Sequence, residues 1–211
     1  MNKDFSVKES FNFFERNRRL ISAAFAAICL TVVLFSHHSW EQGSAVDNAF
    51  DIGGVVLIVM GVLGRLWSTM YIGGKKNAVL VQDGPYSMCR NPLYFFSFVA
   101  GIGVCVELEN VLLLLVFAVT FSFYYPFVIK SEEKRLEGIF GTKEFNAFRA
   151  STPAFFPNIA HLKLGAFPDY SPKLLWKNFM DGSIFLLFIP IAYFIERLHE
   201  SGVLPVLLRI P

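Results

Sequence analysis

The stretch GPYSMCRNPLY, residues 84–94, lies between two apolar segments and opens the second of them. Gly84-Pro85 is a turn signal, and Asn91 followed by Pro92 has the residue types of a helix N-cap with proline at the first helical position. A helix is therefore expected to begin at Pro92. Its first backbone N–H groups have no partners within the helix and lie beside Arg90, which together make a cradle for a carboxylate or phosphate. The alternative is a capped helix start whose arginine snorkels to lipid headgroups. A second polar cluster, Ser131-Glu132-Glu133, closes the next apolar segment and bears on that choice.

The composition outside this stretch is that of a membrane protein. The chain has 211 residues, 54% of them hydrophobic and 24 of them Phe, with a mean hydropathy of +0.48. Such values predict an all-α polytopic helical bundle. A net charge of +2, with the basic residues spread along connections, argues against nucleic acid as a partner. Cys29, Cys89 and Cys105 give neither a disulfide framework nor a metal spacing. Cys89, next to Arg90, is read as a spectator, and no resident metal is expected.

About five transmembrane helices are predicted. Residues 1–19 mix Lys3, Lys8, Arg16, Arg18 and Arg19 with Phe5, Phe11, Phe13 and Phe14, which suits an interfacial helix. The main body is then 20–211. Span one covers 20–36 and leads into the loop 37–48, where His37-His38 is read as solvated because no third metal ligand lies nearby in sequence. Span two covers 49–66, with Gly54, Gly61 and Gly64 near one face, where another helix can approach. Asp51 is taken as a first-turn residue favoured by the helix dipole, with a proton relay as the rarer reading.

Spans three (92–106) and four (111–129) are joined by Glu107-Leu108-Glu109-Asn110. So brief a polar turn implies an antiparallel hairpin, which brings Arg90-Asn91 and Glu132-Glu133 to the same side. The segment 130–182 is expected to form a large polar region on that side, with an interfacial helix at 173–180 and the last span at 183–198. Of the 19 Lys and Arg residues, 17 fall on the side of the N-terminus and both clusters. The positive-inside rule puts that side in the cytoplasm, and in a bacterium the membrane would be the inner one.

At about 100° per residue, Ile129, Leu136, Ile139 and Phe140 form one apolar stripe, with Glu132 inside it, Glu133 at its margin, and Lys130 and Lys134 pointing away. A carboxylate there needs a partner or a ligand. One account is an ion pair with Arg135, Arg149 or Arg90. The other is that Glu132 or Glu133 accepts hydrogen bonds from an ammonium or ribose hydroxyl while Arg90 and the helix start hold a carboxylate.

The two clusters together resemble the isoprenylcysteine carboxyl methyltransferase-like family of integral-membrane methyltransferases, related to the phospholipid methyltransferases. The first family signature resembles Gly84-Pro85-Tyr86 with Arg90-Asn91-Pro92-Leu93-Tyr94. The second resembles Glu132-Glu133-Lys134-Arg135-Leu136, Phe140-Gly141, Phe145, Phe148 and Pro153-Ala154-Phe155-Phe156-Pro157. The resemblance covers about residues 50–160. It implies S-adenosylmethionine as cofactor, held by Tyr86, Arg90, Asn91, Pro92 and Tyr94, with Glu132 and Glu133 on the amine or ribose. Asn91 stands where many members have His, which removes an imidazole base. Phe96 stands where Gly is common, so a differently shaped pocket is expected.

Methyl transfer from a sulfonium is an in-line displacement, so the protein mainly positions the reactants in a water-poor pocket. With no His in the signatures, no residue is assigned as a base, and an already anionic carboxylate or phosphate on a lipid or lipid-linked acceptor suits the site better than an amine. Arg149 and Lys76 are candidates to steer such an acceptor. The competing readings are a nicotinamide-dependent membrane reductase of similar fold, for which Arg90 and Asn91 offer few phosphate contacts, and a non-catalytic membrane protein.

Overall fold

The computed structural model describes residues 27, 29–75, 78–165 and 170–210. The predicted interfacial helix at 1–19 lies outside them, as does most of span one, of which 29–35 are helical. The described fold is helical, as expected. Its long helices are α1 (Ala45–Ile72), α3 (Pro92–Glu107), α4 (Val111–Phe140) and α6 (Pro172–Glu200), with the one-turn helix α2 (Pro85–Met88) and the short α5 (Thr142–Ser151) between them. Three of these, α1, α4 and α6, are long and apolar enough to cross a membrane, and α3 is a shorter apolar helix. Large apolar side chains on their outer faces, such as Phe123 at 73% exposure, suit contact with lipid.

The seam between α1 and α3 organises the bundle. A Cβ at Gly61 would lie 2.6 Å from both the Cβ and the backbone nitrogen of Ala100, and one at Gly64 would fall inside the Phe96 ring. The glycine face predicted from the sequence is therefore a packing face. The Phe96 ring occupies the space that Gly64 leaves open and so packs toward α1.

Several boundaries differ from the sequence expectation. Helix α1 starts at Ala45, because the Ser44 hydroxyl accepts from the Asp47 N–H (3.2 Å) and caps it. Asp47 is thus the first-turn acid and is buried, whereas Asp51 lies a turn further in and is exposed. The same helix continues past Arg65 to Ile72. That guanidinium does not end the span; it ties α1 to Ser97 of α3 and to Asn178 Oδ1 of α6 (3.2 Å). The predicted interfacial helix 173–180 and last span 183–198 are one continuous helix, α6, of 29 residues. Gly182, between them, is buried inside this helix, where a Cβ would meet Val62 of α1 at 3.6 Å.

The hairpin forms as expected. Asn110 caps α4 by accepting from the Leu113 N–H (2.8 Å) and donates to Ser36 Oγ (2.6 Å). Arg90 and Glu133 accordingly lie at one end of the bundle, the signature end, and Glu107–Asn110 at the other, the turn end. Two three-residue strands also meet at the turn end, β1 (Ser36–His38) and β2 (Leu208–Ile210), which pair in parallel. His37-His38 is therefore not a solvated loop, and His38 is 9% exposed.

Candidate functional site

The signature end is built around the loop that enters α3. Gly84 has φ +58°, and a Cβ there would strike the Tyr71 ring at 2.4 Å, so only glycine fits. The chain after α5 wraps this loop with backbone bonds. Gly84 donates to the Lys163 carbonyl (2.6 Å), Arg90 to the Pro153 carbonyl (2.9 Å), and Asn158 to the Met88 carbonyl (3.0 Å). The two signatures are thus bound to each other through the main chain. Phe155, from the second, wedges between α3 and α4 with ring-centroid distances of 5.7 Å to Phe98 and 5.5 Å to Phe121.

The two charged clusters meet directly. Arg90 Nε donates to Glu133 Oε1 (2.8 Å), and Arg149 Nη2 donates to Glu133 Oε2 (3.1 Å). The Arg90 Nη1 also donates to the carbonyls of Arg149 (3.0 Å) and Thr152. Arg90 and Glu133 are nearly enclosed, whereas the Arg149 side chain is 46% exposed and lies over the buried Phe145 ring at 5.3 Å. Such a charge pair needs these additional bonds to persist away from water. Glu132 faces outward and holds Arg135 in two bonds, Nη2 to Oε1 at 2.6 Å and Nε to Oε2 at 3.1 Å.

This corrects the helical-face assignment, since Glu133, not Glu132, is the buried acid. The geometry of the stripe explains it. Ile129, Leu136 and Phe140 cluster within about 40° of one another, with Glu133 beside them, and Ile139 had drawn the predicted centre toward Glu132. Ile139 is exposed. Asn91 stands at the cap position of α3, but its side chain does not cap. It donates to the Ala154 carbonyl (2.9 Å), so it braces the second signature against the first. Pro92 is at the first helical position, as expected.

Tyr86 is buried, and its hydroxyl has no partner among the described residues. Burial, followed by Cys89, Glu132 and Tyr94, raises its pKa and keeps it a phenol that can donate. Tyr94 packs edge-on against Tyr125 at 5.4 Å. Burial pushes the Cys89 thiol up to about 12 despite the adjacent Arg90, so it offers no thiolate. Lys76 lies outside the described residues. The backbone carbonyls of Arg149, Thr152 and Ala154, which hold Arg90 and Asn91, escaped the sequence reading because carbonyl contacts leave no residue-type signal.

Chemically, the signature end offers an exposed cation (Arg149), a half-exposed carboxylate (Glu132) and an unpaired buried hydroxyl (Tyr86), all on a frame fixed by Arg90, Glu133 and Asn91. A zwitterionic amino acid carrying a polar extension matches that donor and acceptor set.

Residues 50–143 match the family model for phospholipid methyltransferase. The chain is 31% identical over 193 residues to the cobalt-zinc-cadmium resistance protein CzcN of Cupriavidus metallidurans, an alignment covering 92% of this chain and 88% of that protein. It is 30% identical over 200 residues to the nickel-cobalt-cadmium resistance protein NccN of Alcaligenes xylosoxydans xylosoxydans, covering 95% and 92%. No solved structure matches.

Proposed function

Because the chain belongs to the phospholipid methyltransferase family, we propose that it transfers a methyl group from S-adenosylmethionine to a lipid or lipid-linked acceptor at the membrane surface. The observation that carries this reading is the contact between the two signatures, with Arg90, Glu133 and Arg149 in one ion-paired cluster. The unpartnered Tyr86 hydroxyl supports it further, since a buried polar group without a partner costs free energy that a ligand can recover.

When bound, S-adenosylmethionine supplies an electrophilic methyl on a sulfonium. Arg90 and Asn91, committed to Glu133 and to the carbonyls of the second signature, hold the entrance of α3 in place. Pro92 and Tyr94 line that entrance. Arg149 offers its exposed guanidinium to an anionic group. Glu132 and the Tyr86 hydroxyl provide an acceptor for an ammonium or ribose hydroxyl and a donor to a carboxylate. Glu133 keeps the two arginines close to each other. No imidazole stands in the signatures to deprotonate an amine, so we assign the acceptor to carboxylates or phosphates, which need no base. Positioning and exclusion of water then supply the rate.

We also place this end in the cytoplasm, on the distribution of Lys and Arg, and extend to this chain the heavy-metal resistance context named for its two relatives.

Binding of tritiated S-adenosylmethionine to the purified chain tests the proposal. Wild type binds, and Glu132→Ala weakens binding about tenfold to a hundredfold, as expected for a lost hydrogen bond to a charged group. No binding by wild type refutes the methyltransferase reading, and undiminished binding by the variant refutes the role of Glu132. Incubation of labelled cofactor with membrane lipids, followed by mass spectrometry, identifies the acceptor.

A further inference from the structure

The turn end carries a polar cluster that the methyl-transfer reading does not use. A cavity of about 410 Å³ opens there between the hairpin turn, β1 and the last turns of α6. Asp51, Glu107, Glu109 and Glu196 line it together with His37, His38 and His199, and no Lys or Arg does so among the described residues. Asp47, buried at the start of α1, completes the cluster. Donor atoms of His38, Asp47 and Glu196 lie within 4.8 Å of one another, and so do those of Asp47, Asp51 and Glu109. Asp47 belongs to both groups.

The orientation of His38 is the second observation. Its Nδ1 lies 3.2 Å from the Trp40 carbonyl, so in the neutral ring Nδ1 carries the proton and the Nε2 lone pair points into the acids. Nε2 is 3.2 Å from Glu109 Oε2, out of hydrogen-bonding alignment, and 4.0 Å from Asp47 Oδ1, beyond hydrogen-bonding reach. Asp47 Oδ1 is likewise buried without a partner. Both side chains are only 7% exposed. A lone pair facing two carboxylates in a low-dielectric setting is repulsive until a positive charge stands between them. A proton on Nε2 can be directed at one of these oxygens but not at all of them together.

The ligand atoms are also braced from behind, as metal ligands are. Trp40 Nε1 donates to Glu109 Oε2 (2.7 Å), and the Gly43 N–H donates to Asp47 Oδ2 (2.9 Å), which leaves Oδ1 facing the cluster. The His38 ring stacks on Trp40 at 5.1 Å, and its backbone is held in the β1–β2 pair. We infer that His38, Asp47 and Glu196, with Glu109 or Asp51 completing the set, bind one divalent transition-metal cation of the zinc type at the end of the bundle opposite the methyltransferase signatures. One imidazole nitrogen with several carboxylate oxygens suits zinc, cobalt or nickel and is unlike the all-oxygen shells of calcium and magnesium.

Zinc titration of the tag-free, chelator-stripped full chain in detergent tests the site, read by calorimetry and, with cobalt as the probe, by visible absorption. One zinc per chain is expected, uncontested by excess magnesium or calcium. His38→Ala and Asp47→Asn should each weaken it by at least about tenfold, whereas His161→Ala, at the signature end, leaves it unchanged. Zinc-edge X-ray absorption on wild type needs no variant to fold and should show one imidazole with carboxylate oxygens at about 2.0–2.2 Å. Absence of stoichiometric zinc, unchanged affinity in His38→Ala, or a sulfur or oxygen-only shell overturns the inference. Binding of S-adenosylmethionine to the same His38→Ala protein reports on the other end, so failure of one reading is distinguishable from failure of the other.

Discussion

The two polar ends of the bundle use the same residue types in opposite balance. At the signature end, Glu133 is shared by two arginines, and backbone carbonyls take up donors that the acid does not. At the turn end, carboxylates outnumber cations around the cavity, and two buried polar atoms, on His38 and Asp47, are left facing each other's neighbourhood without a bond. A nearly enclosed charge can be tolerated when its partners come from the chain, and the first end follows that course. Where the described residues supply only acids and imidazole, a cation from outside can supply the balancing charge. Identity of residues therefore says less about a polar site than whether its charges close on themselves.

That contrast can be broken most directly at Glu133. Glu133→Gln leaves two guanidiniums without their counter-charge, and loss of one partner from a buried pair costs about 3–5 kcal/mol; the exposure of Arg149 puts the expected loss near the lower figure. Thermal unfolding in detergent reads it, and a change below about 1 kcal/mol would mean that the signature end is not held by its ion pairs. Gly61→Ala tests the seam that keeps the ends in register. Its new Cβ meets the backbone of Ala100, which cannot rotate aside as a ring can, so a loss of about 1–3 kcal/mol is expected by the same measurement. The smallest effect is expected at Glu109. With chelator present, Glu109→Gln retains an oxygen for the Trp40 N–H and removes one negative charge from an acidic cluster, so stability stays within about 1 kcal/mol of wild type or rises. A large loss there would equate the two ends and remove the contrast.

Much of this arrangement was legible in the chain. The hairpin followed from four polar residues between two apolar runs, and the α1–α3 seam from three glycines on one helical face. The meeting of Arg90 with Glu133 followed from the hairpin. What failed was finer or more distant. Glu132 and Glu133 differ by a single helical step, and including Ile139 in the stripe was enough to exchange them. The boundary expected between 173–180 and the last span falls inside one continuous helix, at a stretch where Gly182 is buried against α1. His38 read as solvated because its neighbours Glu109 and Glu196 come from the hairpin turn and the last helix, and because β1 is three residues long and pairs with a strand at the far end of the chain. No local periodicity encodes a partner so remote.

The brevity of α3 has one more consequence. Sixteen residues rise only about 24 Å, whereas the hydrocarbon layer is about 30 Å thick. The helix that joins the two polar ends is therefore several ångströms shorter than an unperturbed hydrocarbon layer, and lipid that met it alone would have to thin or carry headgroups inward. For the lipid acceptor we propose, that mismatch would draw the headgroup toward Arg149 instead of lifting it toward water.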